Sequence, residues 1–213
     1  MDLTEDGALS RIAEATRDIE IGLLVNNAGF GVGGSFATRD PARLEKLVKL
    51  NCLVPALLSR QVLPGIIARK RGGIVMVASI MAFITAPYEA AYNASKAFDL
   101  HFGESLYGEL VGTGVDVITL CPGGMKTGFF AASGVHAGDV RRLHYFSAPP
   151  QRMARLALRN LGRRAVVSPA FPFAVSLLVR VTSRRMVTHI VRAIMLRFVR
   201  YDADFALERE RTE

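Results

Sequence analysis

Apolar residues fall along this chain in two alternating rhythms. Short, nearly unbroken apolar runs occur at Ile21-Gly22-Leu23-Leu24-Val25, at Gly73-Ile74-Val75-Met76-Val77-Ala78 and at Val115-Asp116-Val117-Ile118-Thr119-Leu120-Cys121. Their length and β-branched content predict strands. Longer stretches with helical spacing lie between them. Leu9 to Ile19 reads as a helix behind a cluster suited to capping, Asp2-Leu3-Thr4-Glu5-Asp6. A second helix starts at Asp40, whose carboxylate can cap while Pro41 takes the first helical position, and it runs past Asn51. A third covers residues 89–111, a loop with short helical turns covers 128–148, and Pro149-Pro150 opens a helix that runs to Leu161. Arg164-Ala165-Val166-Val167-Ser168-Pro169 reads as a short strand and residues 171–200 as two helices. Strands that are apolar on both faces and alternate with helices predict an α/β fold with a parallel sheet covered on both sides.

The chain has 213 residues, half of them apolar, enough for one domain with a sizeable core. Cys52 and Cys121 have neither metal-ligand spacing nor a secreted context, so reduced thiols and a cytoplasmic location are expected. His101, His136, His144 and His189 offer no pair at helical spacing, and no metal is expected. The formal charge of +8 is uneven. Residues 1–140 carry 12 basic and 14 acidic groups, whereas 141–213 carry 15 arginines and 5 acidic groups. Such a balance suits either an acidic partner surface or a solvated helical face. Nucleic acid is not expected, because no aromatic platform interleaves with the arginines.

Chemistry enters at Tyr92-Asn93-Ala94-Ser95-Lys96. A tyrosine and a lysine four apart on a helix share one face. A cation within roughly 4–6 Å favours the phenolate of a group whose ordinary pKa is about 10. Alone the spacing is weak, since a surface tyrosine beside a solvated lysine has the same pattern. Four further features accompany it: Ser79 at the end of the second apolar run, Val25-Asn26-Asn27-Ala28-Gly29 closing the first, Asn51 inside the second helix, and Pro122-Gly123-Gly124-Met125-Lys126-Thr127 after the third run. In this order and at these separations they resemble the short-chain dehydrogenase/reductase family, classical type. The resemblance implies a Rossmann-like doubly wound parallel sheet and hydride transfer between NADP or NAD, NADP slightly preferred, and a carbonyl or secondary alcohol. It implies Asn51, Ser79, Tyr92 and Lys96 as catalytic residues: Tyr92 the general acid/base, Lys96 lowering its pKa and holding the nicotinamide ribose, Ser79 steadying the substrate oxygen, and Asn51 holding a water that links Lys96 to solvent. A second role for Asn51, an amide mending a distorted helix, is compatible with the first. Asp2, Asn27, Ala28, Gly29, Tyr92, Lys96, Pro122, Gly123 and Thr127 would border the cofactor, Asp2 at the adenine.

Gly29, Gly31 and Gly34 satisfy a G-x-G-x-x-G spacing, yet the next helix waits until Asp40. A phosphate-binding turn opens its helix at once, so the glycines are expected instead to let backbone pass close to a bound nucleotide. By comparison with the family, the first two βα units are lacking, including its glycine-rich turn. That predicts weak cofactor anchoring and an exposed apolar edge at the Leu23-Leu24-Val25 strand. Either the true start lies upstream or the chain is a cofactor-deficient remnant that serves as a binding or membrane-associated module.

The expected organisation is an incomplete catalytic domain over 1–170, with a lid near 128–150, and a basic amphipathic helical tail over 171–213. Phe171 to Val179 is too short to span a bilayer, which needs about 20 apolar residues. In the following helix Arg185, His189, Arg192 and Arg200 fall opposite Val187, Ile190, Val191, Ile194 and Phe198. This helix suits a membrane interface, and equally a packed core or another subunit. Pro149-Pro150, the strand near Ala165 and Arg184-Arg185 resemble the DltE-like branch, which implies a small, apolar carbonyl or alcohol substrate. Phe98, Phe102 and Leu106 form a stripe on the tyrosine helix that suits either the core or a homo-oligomer interface.

Overall fold

Four parallel strands, β1 (Leu23–Asn26), β2 (Gly72–Val77), β3 (Val115–Leu120) and β4 (Val166–Val167), form one sheet in the order β1-β2-β3-β4. The computed structural model describes residues 1–145, 147–169, 182–199 and 201. Alternation along each strand divides the apolar residues between two faces. Ile74 and Met76 of β2 and Val115 and Val117 of β3 pack with Ile66, Leu106 and Leu110 on one side. Val75, Val77, Ile118, Leu120 and Val167 pack with Met153 and Ala157 on the other. The first face is covered by α3 (Val54–Ala68) and α4 (Ala90–Glu109), the second by α7 (Pro150–Asn160). This is the Rossmann-like arrangement expected, with fewer strands than a complete family sheet.

β1 forms the edge. Its Leu24 packs toward the first cluster, while Leu23 and Val25 point to the other face and stay 39% and 50% exposed. The exposed apolar edge anticipated for this strand is therefore present. The strand is displaced from the expected Ile21–Val25 because pairing with β2 begins at Leu23↔Gly73.

α1 (Ala8–Ala15) is shorter than the expected helix. Thr16 ends it, its Oγ1 donating to Ile12 O at 2.8 Å. Gly7, not the acidic cluster, is its N-cap, and Asp2 instead closes a turn by accepting from Thr4 N at 2.9 Å and Thr4 Oγ1 at 2.7 Å. α2 (Pro41–Val48) starts as its sequence predicts, with Asp40 Oδ1 accepting from Ala42 N at 3.1 Å. It does not run straight into α3: residues Lys49–Leu53 form a π-helical turn with Asn51 at its centre. Such turns leave one residue extra in the ladder and gather at functional sites. Beyond β3, α5 (Phe129–Ala132) and α6 (Ala137–Tyr145) form the segment expected as a lid. α8 (Arg184–Phe198) is the second of the two expected tail helices, whereas the first, Arg200 and residues 202–213 lie outside the described residues.

Candidate active site

The C-terminal ends of the parallel strands supply the site, as expected where ligands bind in open α/β sheets. Asn27, Ala28 and Gly29 follow β1, Ser79 follows β2, and Pro122 to Thr127 follow β3. Ser79 caps a single 3₁₀ turn, Ile80–Phe83, its Oγ accepting from Met81 N at 3.1 Å. Asn93 on α4 donates its side-chain amide to Met81 O at 2.7 Å and to Ile84 O, tying that turn to the tyrosine helix. Tyr92 and Lys96 are both buried on the inner side of α4.

These segments enclose a cavity of about 640 Å³. Asn27, Gly29, Ser79, Tyr92, Lys96, Pro122, Gly123 and Thr127 all line it. Ala28 and Asn51 instead border a smaller void of about 50 Å³ behind it, which Lys96 also reaches. Asp2 lines neither cavity, and its carboxylate accepts from Lys46 Nζ at 2.7 Å. The Lys46 and Thr4 donors hold that carboxyl well below the usual range.

Asn51 joins three elements. Its Nδ2 donates to Phe30 O at 3.0 Å and to Ser95 Oγ at 3.0 Å, while Oδ1 accepts from Phe30 N at 3.2 Å. Ser95 Oγ in turn donates to Tyr92 O at 2.7 Å. Both amide hydrogens are thus committed to protein groups, and the second lone pair of Oδ1 is what this side chain offers a water.

Lys96 Nζ donates to Val77 O at 2.9 Å and to Asp99 Oδ2 at 2.9 Å, an ion pair that is almost wholly buried. Burial pushes the Asp99 carboxyl up, against the pull of Lys96. Asp99 Oδ1 has no hydrogen-bond partner in the structure, and Asp99 borders the small void. Tyr92 is pushed above its ordinary value, chiefly by burial. Ser79 beside it acts in the opposite sense, and Glu89 and Asp99 add to the rise. The tyrosine ring packs on Phe129 of α5, with centroids 5.3 Å apart.

Sequence patterning did not single out Asp99, Glu89 or Tyr201. Asp99 lies one turn beyond Lys96, so an acid at i+3 on the inner face was its available signal. Glu89 precedes the tyrosine helix and lines the cavity, where burial pushes its carboxyl up to about 7. It accepts a hydrogen bond from Tyr201 Oη, 112 residues away, which no local pattern announces.

The residues fit a nicotinamide nucleotide at one end. A Cβ on Gly29 would stand 3.0 Å from Asn51 Oδ1 and 3.6 Å from Lys96 Nζ, so a side chain there would crowd Asn51 beside the lysine. The lysine ammonium, the Ser79 and Tyr92 hydroxyls and Thr127 then form a polar strip along the cavity. The glycines beyond lie against other parts of the chain. A Cβ on Gly31 would fall 2.6 Å from Ser133 Oγ, and one on Gly33 would fall 1.8 Å from the Tyr201 ring. The chain itself fills that room, and after a 3₁₀ turn at Phe36–Thr38 the next α-helix starts at Pro41. Among the described residues no group of three or more His, Cys, Asp or Glu gathers as a metal site. Burial pushes the Cys52 thiol up to about 11 and the Cys121 thiol up to about 12, so both are poor nucleophiles.

A parallel sheet with Ser, Tyr and Lys converging at its strand ends defines a class of nicotinamide-dependent oxidoreductases. Residues 1–136 match the short chain dehydrogenase family, and the chain belongs to it. It is 30% identical over 170 residues to a very-long-chain 3-oxoacyl-CoA reductase from Neurospora crassa, covering 79% of this chain and 48% of that one. It is 34% identical over 155 residues to the inactive hydroxysteroid dehydrogenase-like protein 1 of Rattus norvegicus, covering 71% of this chain and 45% of that one. The chain therefore matches about half the length of these relatives. A solved short-chain dehydrogenase from Sphingobium yanoikuyae in complex with NADPH is 26% identical, with a TM-score of 0.70 over 85% of this chain and 74% of that one.

Proposed function

We propose that this chain carries the proton-transfer half of an NAD(P)-dependent oxidoreductase that interconverts a carbonyl and a secondary alcohol on a small, apolar substrate. The observation that carries the reading is the convergence of Ser79, Tyr92 and Lys96 in one largely apolar cavity at the strand ends. A nicotinamide cofactor supplies or accepts the hydride when bound. The chain's own groups do the rest. Tyr92 Oη gives its proton to the substrate oxygen in reduction and takes it back in oxidation, while Ser79 Oγ holds that oxygen in place. Lys96, steadied by Val77 O and Asp99, presents its remaining donor to the nicotinamide ribose. Asn51 holds a water behind it through Oδ1. Asn27, Ala28 and Gly29 border the cofactor on one side and Pro122, Gly123 and Thr127 on the other. Asp2, whose carboxylate accepts from Lys46 and Thr4, would border the adenine.

NADP is preferred over NAD by the NADPH complex of the Sphingobium relative. Residues 1–170 act as the catalytic domain, with residues 128–150 as the lid that places Phe129 against Tyr92, and residues 171–213 as the tail. The helix opened by Pro150, the short strand at Val166 and the Arg-rich helix behind them favour the DltE-like branch. The two free cysteines favour the cytoplasm.

A second reading has its own observation. Lys96 is paired with the buried Asp99, burial raises Tyr92 above its ordinary value, and Ser133 and Tyr201 lie against Gly31 and Gly33. These features suit a remnant that binds apolar molecules without a cofactor, and one relative is itself described as inactive. Titration of the 213-residue chain with NADPH and with NADH, followed by dihydronicotinamide fluorescence, separates the two. Saturable binding together with cofactor oxidation in the presence of apolar ketones is expected of the enzyme. Absence of binding by both nucleotides would favour the second reading for this chain.

A further inference from the structure

Helix α8 has two unlike faces. Inward, Val187 is buried and Val191 and Met195 are half-buried, and Met195, Val199 and Tyr201 line the same cavity as Tyr92. Outward, Met186, Ile190 and Ile194 stand four residues apart and form one aliphatic stripe, 52%, 52% and 49% exposed. Arg185, His189 and Arg192, all exposed, form a second stripe about a third of a turn round the helix. Between Arg184 and Phe198 there are four arginines and no acidic residue.

We propose that the outer face of α8 docks on an anionic phospholipid surface, with Met186, Ile190 and Ile194 entering the acyl boundary and the arginines meeting lipid phosphates. A helix lying in the interface needs this adjacency of an aliphatic stripe and a cationic one. A second copy of the chain is a poor occupant, since pairing two such faces brings arginines against arginines with no acid on either helix. Nucleic acid is a poor one too, because the exposed stripe is aliphatic and offers bases no ring to stack on. The docked helix is also a wall of the cavity. On the enzyme reading given above, an apolar substrate therefore enters from the lipid side, past Met195 and Val199; the docking itself does not depend on that reading.

Flotation of the full 213-residue chain with vesicles tests it. The wild-type chain is expected to float with phosphatidylglycerol/phosphatidylcholine vesicles at least about tenfold more than with pure phosphatidylcholine, and to lose most of that preference at high salt. Ile190→Asp with Ile194→Asp should abolish flotation with an unchanged melting midpoint, since both positions face solvent. Arg185→Glu with Arg192→Glu should remove the preference for anionic vesicles. Failure of the wild-type chain to float at low salt overturns the proposal, as does flotation undiminished by the paired aspartates. A dimer in sedimentation that the aspartates dissolve, without vesicle binding, overturns it in favour of a second copy. NADPH titration of the same samples keeps the two ideas apart: vesicle binding without nucleotide binding sustains docking and removes the enzyme, and the converse removes docking alone.

Discussion

Tyr92 sits between influences of opposite sign. Burial and two nearby carboxyls keep its proton on, while Ser79 favours its release. Lys96, the cation expected from the sequence to favour the phenolate, spends its charge on Asp99. Removing Asp99 would strand a buried ammonium, and breaking a buried pair of this kind costs about 3–5 kcal/mol. On the proposed function, the tyrosine proton remains the group the chemistry needs. Tyr92→Phe is expected to cut carbonyl reduction by at least about 10²-fold with nucleotide affinity nearly unchanged, read by cofactor oxidation and by fluorescence titration. Equal turnover by that variant would remove Tyr92 from the mechanism. Glu89 gives a second measurable effect. Its carboxyl is pushed up to about 7 from an ordinary value of about 4.5, mainly by burial, so the folded chain keeps a proton there that the unfolded chain has already released. The unfolded state then binds fewer protons across that interval, and this residue's contribution to stability falls as pH rises from about 4.5 through 7. Glu89→Gln, which cannot ionise, should gain melting temperature relative to the wild type on going from about pH 5 to about pH 8. A constant difference between the two chains across that range would show that Glu89 ionises as freely folded as unfolded.

At the scale of elements, α4 and β3 are the best test of how the layers meet. Gly103 lets the helix lie directly on the strand, because a Cβ there would stand 2.1 Å from Thr119 Oγ1 and 3.2 Å from Met76 Cγ. Gly103→Ala is therefore expected to destabilise by about 1–3 kcal/mol, outweighing the roughly 1 kcal/mol by which helices prefer alanine. Denaturant melts of the two chains would show it; a stabilised variant would mean the layers separate easily. Several elements were legible from pattern alone. β3 spans Val115–Leu120 as its apolar run indicates, and Asp40-Pro41 marks the start of α2. The π turn at Lys49–Leu53 was not legible, since one extra residue in a helical ladder leaves the apolar spacing almost intact. Nor was the true length of α1, where the acidic cluster serves a turn and a pairing with α2 instead of a cap.

At the scale of the molecule, the site was legible as far as its residues follow strand ends and one helix face. Ser79, Tyr92 and Lys96 come together because β2 ends beside α4, and Asn27 and Pro122 join them from the neighbouring strands. The far wall was not legible, because it depends on contacts between distant parts of the chain: Tyr201 lies against Gly33, bridges Val135 and donates to Glu89. A cluster of arginines near the end of the chain gave no hint that the same helix would turn Met195 toward Tyr92. The match to the family ends at residue 136, whereas Leu143, Ser147, Met195, Val199 and Tyr201 of the cavity all come after it. On the proposed reading, the acid–base groups thus lie inside the matched stretch, while part of the cavity wall comes from beyond it. If that reading holds, variation in the last third would reshape this part of the wall while Ser79, Tyr92 and Lys96 stay untouched, so pocket shape and proton transfer could change independently in this chain.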